Sequence, residues 1–243
     1  MSFTVSLAGI RIRIEPLSPR LQNRFRDFSA SGEPNIHIRI TKEMITAESE
    51  IRRVYSEAFR PGFSLSEALT EESAVCRAIS EKLPELGAFL LHGSAIEYDG
   101  EGIVFVASSG TGKSTFARSW AACFPDRVQY INDDKPFVRV KDGCATIYGS
   151  PWNGKHRLGD NRSAPLKAIC LLERSETNRA EKVSALEVLP QLLSHLYIPS
   201  NPVGRSALFS ILQKLSSVSG FYRVGCNPDP DAALPCKEVI FPS

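Results

Sequence analysis

Every second residue of "GIRIRIEP" is apolar: Ile10, Ile12 and Ile14 alternate with Arg11, Arg13 and Glu15. That period of two predicts a strand with one solvated face. Residues 1 to about 42 read as short strands, "TVSLAGIRIRI" and "NIHIRIT", parted by the turn cluster "SASGEPN". The period then lengthens. Val75, Ile79 and Leu83 recur every fourth residue and predict a helix over residues 74–83, stopped by Pro84 and Gly87.

The centre of the chain is dominated by apolar runs. "GAFLLHGSAIEY" predicts a strand, "DGEG" a turn, "IVFVA" a second strand, and "STFARSWAACF" a helix after a glycine-rich loop. Beyond it, "VQYINDD" reads as a strand, "PFVRV" and "CATIYG" as a hairpin around Asp142 and Gly143, and "LKAICLLE" as a buried strand. The last part opens on a capping box at Ser184 and Glu187 that leads into "VLPQLLSHLY", a helix that Pro190 bends or delays. A further helix, "SALFSILQKLSS", and a strand, "GFYRVGC", close the pattern, and no internal repeat or low-complexity tract interrupts it.

Length and composition narrow the function. The 243 residues suit one domain with a small appendage, divided here at residues 1–86 and 87–243. With 42% hydrophobic and 23% charged residues the composition is that of a globular protein. A net charge of +2 gives no global field toward nucleic acid or an anionic membrane, so neither is expected as a partner. The six cysteines form no C-x-x-C pair, which fits reduced thiols in a cytosolic protein. The start lacks the apolar core and cleavage site of an export signal, and no run approaches the roughly 18 apolar residues of a membrane span. A cytoplasmic location follows as the expectation, and homo-oligomerisation is left open.

Candidate chemistry concentrates in "FVASSGTGKSTFARSW", residues 105 to 120. It follows the phosphate-loop pattern G-x-x-x-x-G-K-[ST] at Gly112, Lys113 and Ser114, with Ala107 in the first glycine position. Gly110 and Gly112 allow backbone N–H groups to turn inward on an anion, and the following helix start adds partial positive charge. Lys113 reaches the outer phosphates and the Ser114 hydroxyl suits magnesium. The nucleotide-binding set is then Ser108, Ser109, Gly110, Thr111, Gly112, Lys113, Ser114 and Thr115. No N-K-x-D segment marks a guanine-specific GTPase.

"INDDK" places Asp133 and Asp134 about twenty residues after Lys113, at the end of a strand. Two adjacent carboxylates can divide the work of phosphoryl transfer, one holding magnesium and one accepting the proton of an attacking hydroxyl. Together, "LLHGSAIEYDGEGIVFVASSGTGKST" and "INDD" resemble the catalytic domain of the HPr kinase/phosphorylase family, whose fold is related to phosphoenolpyruvate carboxykinases. The resemblance spans roughly residues 88–175. It implies an α/β, mixed-sheet phosphate-loop fold with a small N-terminal β-rich subdomain. It also implies His92 as the active-site histidine, residues 109–114 as the loop, Asp133 as general base and Asp134 as a magnesium-associated carboxylate.

The family's E-I-R-G segment has no counterpart. The stretch that stands there, "YGSPWNGKHRLGDNRSAPLKAICLLE", is similar to a branch encoded with lasso-peptide biosynthesis. Within it Lys155, His156, Arg157 and Arg162 are candidates to meet phosphate or an anionic substrate, or else form a solvated loop. Trp152 reads as a packed aromatic, and His37 and His195 as ordinary strand and helix surface. The expected activity is transfer of the ATP γ-phosphate, with Mg2+, to a hydroxyl of a peptide, protein or small molecule. The catalytic residues are Asp133, His92 and Lys113, and Ser114 and Asp134 are the metal ligands. The alternative is a nucleotide-binding regulatory module with weak ATPase activity and no transfer; a carboxykinase would need a metal-ligand Lys/His pair that the chain does not supply.

Overall fold

The N-terminal alternation forms a hairpin. In the computed structural model, which describes residues 2–59, 66–108 and 110–242, β1 (Phe3–Leu7) and β2 (Ile10–Glu15) pair antiparallel, and β3 (Ile36–Arg39) joins β2 in parallel. Ile10, Ile12 and Ile14 are buried and Arg11 and Arg13 exposed, as a half-solvated strand requires. His37 lies exposed on β3. A short helix, α1 (Leu21–Arg24), connects the strands.

Two helices follow, α2 (Lys42–Phe59) and α3 (Glu67–Lys82). The predicted helix at residues 74–83 is the C-terminal half of α3. Nothing in the hydrophobic pattern announced α2. Its buried Glu48 is held by Arg52 (3.0 Å) and, from α3, by Arg77 (2.6 Å), so a charge occupies an inward position that an apolar residue usually takes.

The larger sheet is mixed and has nine strands. Along it run β4 (Ala88–Leu90), β8 (Phe137–Lys141), β9 (Cys144–Tyr148), β10 (Ser163–Arg174), β6 (Glu101–Val106), β5 (Ser94–Tyr98) and β7 (Val128–Asn132). β12 (Gly220–Cys226) also pairs β10, and β11 (Arg179–Val183) pairs β12. β10 carries the change of character. Its first residues pair antiparallel with β9, whereas its second half lies parallel to both β6 and β12. The hairpin turns at Asp99 and Gly100 and at Asp142 and Gly143 have positive φ at all four residues, the geometry that suits the twist of the flanking strands.

Alternate residues of the central strands face opposite layers. Val104, Val106, Ile169 and Leu171 pack toward α5 (Ala185–Leu193) and α6 (Pro202–Val218). Ile103, Phe105, Ala168 and Cys170 pack toward α4 (Lys113–Cys123) and α7 (Ala233–Ile240). The Ser184 capping box forms, and α5 runs through Pro190 rather than starting after it. A third core joins the N-terminal sheet to Phe137 and Trp152. Trp152, 5% exposed, sits edge-on to Phe25 and Phe137 with ring centroids 5.5 and 6.0 Å away, so it packs as expected.

One expected strand is two. "GAFLLHGSAIEY" breaks at His92 and Gly93 into β4, which pairs β8, and β5, which pairs β6 and β7. Among the described residues, no helix is long and apolar enough to cross a membrane.

Candidate functional site

Strand direction gathers the candidate residues before any side chain is considered. β6 and β10 are parallel, and β5 is antiparallel to both β6 and β7, so β6, β7 and β10 end at one edge, where β5 begins. The glycine-rich loop, the two aspartates, Arg174 and His92 therefore share that edge, the usual place for a ligand on parallel strands.

Ala107 does not disturb the loop. It is 0% exposed in the α4-side core, and its backbone is not among those with positive φ, so its methyl group packs inward where a glycine would leave space. The left-handed positions are Gly110 (φ +81°) and Gly112 (φ +112°), which a residue with a Cβ adopts only under strain. Thr111 N donates to Ser108 O (3.2 Å) and closes the turn; Ser109 lies outside the described residues. Gly112 caps α4, whose first turn holds no acidic residue to neutralise its positive end. Ser114 and Thr115 follow in that turn, and Thr115 Oγ1 accepts from Arg118 Nη2 (3.3 Å).

Lys113 folds back over the loop and donates from Nζ to Ala107 O (2.7 Å). Burial depresses its pKa, and the negative charge of Asp134 opposes that shift. From the end of β10, Arg174 Nη2 donates to Gly110 O (2.7 Å), a second tie on the loop that no local motif announced.

The two aspartates are turned apart by Asn132. This residue is fully buried at the end of β7; its Oδ1 accepts from Asp134 N (2.9 Å) and Lys135 N (2.6 Å). Its Nδ2 donates to Ser150 and to Asn153 Oδ1 (3.0 Å), which fixes the turn against the following loop. Asp133 is 6% exposed and accepts from Gly154 N at Oδ1 (2.6 Å). Asp134 faces the other way. Its Oδ1 meets His92 Nε2 at 3.3 Å and its Oδ2 pairs with Lys135 Nζ. Burial raises the Asp134 pKa, but His92 and Lys135 outweigh it and bring the carboxyl to about 2.

His92 is thus joined to Asp134 rather than to Asp133. Its backbone N donates to His195 O (2.8 Å), and Gly93 N donates to Asp134 O (3.0 Å). A Cβ on Gly93 would lie 2.8 Å from Phe105 O, so only glycine lets the chain pass β6 this closely.

His195, expected on an ordinary surface, belongs to this group. It is 9% exposed, with its ring centroid 6.1 Å from that of His92. Burial first, then the charges of His92 and Lys113, lower its pKa from 6.5 to about 4. A histidine held neutral in this way stabilises the fold fully above pH 6.5, and that contribution is lost as pH falls toward 4. Urea titrations of His195→Gln are expected to show a flatter pH dependence than wild type between pH 6.5 and 4; parallel curves would refute the neutral, buried imidazole.

Of the four basic residues in the stretch after β9, three remain together. Lys155, His156 and Arg157 are exposed, and His156 Nε2 lies 3.4 Å from Arg118 Nη1 of α4. Arg162 is drawn away to Glu97 (3.7 Å) and Asp160 (3.5 Å). Among the described residues, no group of three or more His, Cys, Asp or Glu side chains gathers to hold a metal ion.

Comparison with known proteins corrects the expected family. A solved structure described as the Hpr(Ser) kinase/phosphatase from Coxiella burnetii is similar over 51% of this chain and 93% of its own, at 9% identity and a TM-score of 0.29. A likeness that slight bears on neither fold nor activity. No curated protein matches. The family profile that does match, over residues 64–191, is that of the SynChlorMet cassette protein ScmC. The resemblance to HPr kinase/phosphorylases and to their lasso-peptide branch rested on a strand, loop and helix followed by an acidic pair, a local solution to phosphate binding that does not define a family. With just over half of its 243 residues matched, the chain belongs to the ScmC family.

Proposed function

We propose that this protein is an ATP- and Mg2+-dependent phosphotransferase that moves the γ-phosphoryl group to a hydroxyl of a peptide, a protein or a small molecule. The observation that carries this reading is the opposition of Lys113, folded over a glycine-shaped loop, to the ionised Asp134 at the same sheet edge. Lys113 and the positive end of α4 bind the outer phosphates, and Arg174 holds the loop in shape through Gly110. Asp133 draws the proton from the acceptor hydroxyl. Its Oδ1 is occupied by Gly154 N, so Oδ2 is the oxygen that takes the proton.

Magnesium carried with a nucleotide needs only one or two protein oxygens beside phosphate and water. Ser114 and Asp134, a hydroxyl and a carboxylate ionised far below neutral pH, fit that donor set and would hold it, and the metal would supply charge neutralisation on the transferring group. His92, bonded to Asp134, keeps that carboxylate in place.

Thermal melts test the reading. ATP with Mg2+ at about a hundred times its dissociation constant should stabilise the protein by roughly 2.7 kcal/mol, a rise of several degrees for a chain of this length. A melting temperature indifferent to ATP, with and without Mg2+, would remove the basis of the proposal.

A further inference from the structure

Lys155, His156 and Arg157 stand exposed in sequence on a single turn. Solvated cations on a loop need no explanation by themselves. Their tether does. The turn is closed by Arg157 N donating to Gly154 O (3.1 Å), and the N–H of the same Gly154 is bonded to Asp133 Oδ1 at 2.6 Å. Lys155, His156 and Arg157 are therefore fixed one to three residues from the contact with the acid assigned to proton removal.

A second element brings another cation to the same place. Arg118, exposed on α4 one turn after Ser114, lies 3.4 Å from His156 Nε2 and reaches back to Thr115 Oγ1. The phenol of Tyr130 senses both groups: burial raises its pKa, the positive Arg118 lowers it and the negative Asp133 raises it. Arg118 and Asp133 thus act on a common space. Arg157 holds a φ of +50°, a left-handed backbone that a side chain adopts at a cost. Among the described residues, Lys155, His156, Arg157 and Arg118 pair with no carboxylate, whereas Arg162, on the same loop, pairs with two.

A hydroxyl approaching Asp133 enters a space already negative from that carboxylate and, on the phosphotransferase reading, from a triphosphate. An acceptor with its own negative group would be repelled unless cations met that group. We propose that Lys155, Arg157 and Arg118, with His156, form the acceptor subsite, and that the acceptor carries a carboxylate or phosphate close to the hydroxyl that receives phosphate. The proposal rests on the phosphotransferase reading and names its substrate class.

Two probe arms separate the sources of such an anion. In the first, a fluorescent serine peptide flanked by Asp and Glu is compared with its Asn/Gln and its Lys-flanked counterparts by anisotropy on the full chain. In the second, free glycerate and O-phosphoserine compete with the bound peptide or, where no peptide binds, are titrated by calorimetry. ATP affinity is measured in parallel. Wild type should bind the acidic peptide or the free anion at least tenfold more tightly than the neutral peptide. Lys155→Glu/Arg157→Glu should lose that preference and gain affinity for the Lys-flanked peptide while keeping its ATP affinity, a combination that a misfolded variant does not show. Absence of a charge preference in both arms, or an unchanged preference in the variant, overturns the subsite. A variant that loses ATP affinity instead assigns the cations to the nucleotide and overturns it too. Failure of wild type to bind ATP would sink the phosphotransferase reading, whereas ATP binding with no anion preference sinks this inference alone.

Discussion

Lys113→Ala is expected to abolish the ATP-dependent rise in melting temperature and to lower ATP turnover by about a thousandfold, the order of effect seen when a charge-stabilising donor is removed from a site of phosphoryl or acyl transfer. The apo protein should suffer little. Lys113 is a half-buried cation whose pKa burial depresses, and its bond to Ala107 O joins an ammonium to a carbonyl, not to a carboxylate. Deleting it removes a desolvation cost together with one hydrogen bond, two terms of similar size and opposite sign. Paired melts with and without ATP and Mg2+ read both effects at once. An ATP shift preserved in Lys113→Ala would break the link between this loop and nucleotide, and an apo variant that no longer folds would overturn the near-neutral stability expected of the deletion.

What the sequence made legible was whatever depends on near neighbours. Asp142 and Gly143 announced their hairpin, and "DGEG" its turn, because a two-residue turn with positive φ leaves few choices of residue. Ser184 and Glu187 announced the start of α5 by the reciprocal bonding that the structure contains. The glycine-rich loop and the paired aspartates stood out for the same reason, each being a short run of distinctive residues.

Features that rest on distant partners were hidden. α2 turns the buried Glu48 inward, and the carboxylate is tolerated there only because Arg77, 29 residues away, meets it together with Arg52. β11 has a largely exposed pattern and exists as an edge strand because β12 offers it a ladder. The break at Gly93 is set by the carbonyl of Phe105 on the neighbouring strand.

The site divides in the same way. Arg174, Arg118 and His195 come to the loop and the acids through the sheet order and through α4, and no spacing in the chain foretells it. Arg162 looked like a member of the cation group until Glu97, on β5, took it. The family was misread because the evidence for it was local too: a phosphate loop and an acidic pair describe a site, whereas membership is decided by the match along residues 64–191.

Asp133→Asn and Asp134→Asn should fail differently, although the residues are adjacent and the chemical change is the same. In Asp133→Asn the amide oxygen can still accept from Gly154 N, so the turn and the ATP-induced thermal shift are expected to survive. What disappears is the basic oxygen, and the loss of a positioned base costs roughly a hundred- to ten-thousandfold in rate. In Asp134→Asn the missing charge is the one that opposes Lys113 and whose pKa His92 and Lys135 hold at about 2. Three basic groups then face a neutral amide. The Mg2+-dependent part of ATP binding should weaken, and the fold should lose the stability that this carboxylate contributes above its unfolded pKa near 4. That contribution normally fades only as pH falls toward 2. ATP dissociation constants measured with and without Mg2+, set beside turnover for each variant, separate the two. Should Asp133→Asn turn ATP over at the wild-type rate in the presence of acceptor, the proton must leave by another route, and His92, half-exposed and bonded to Asp134 through one ring nitrogen only, would be the group in position to take it.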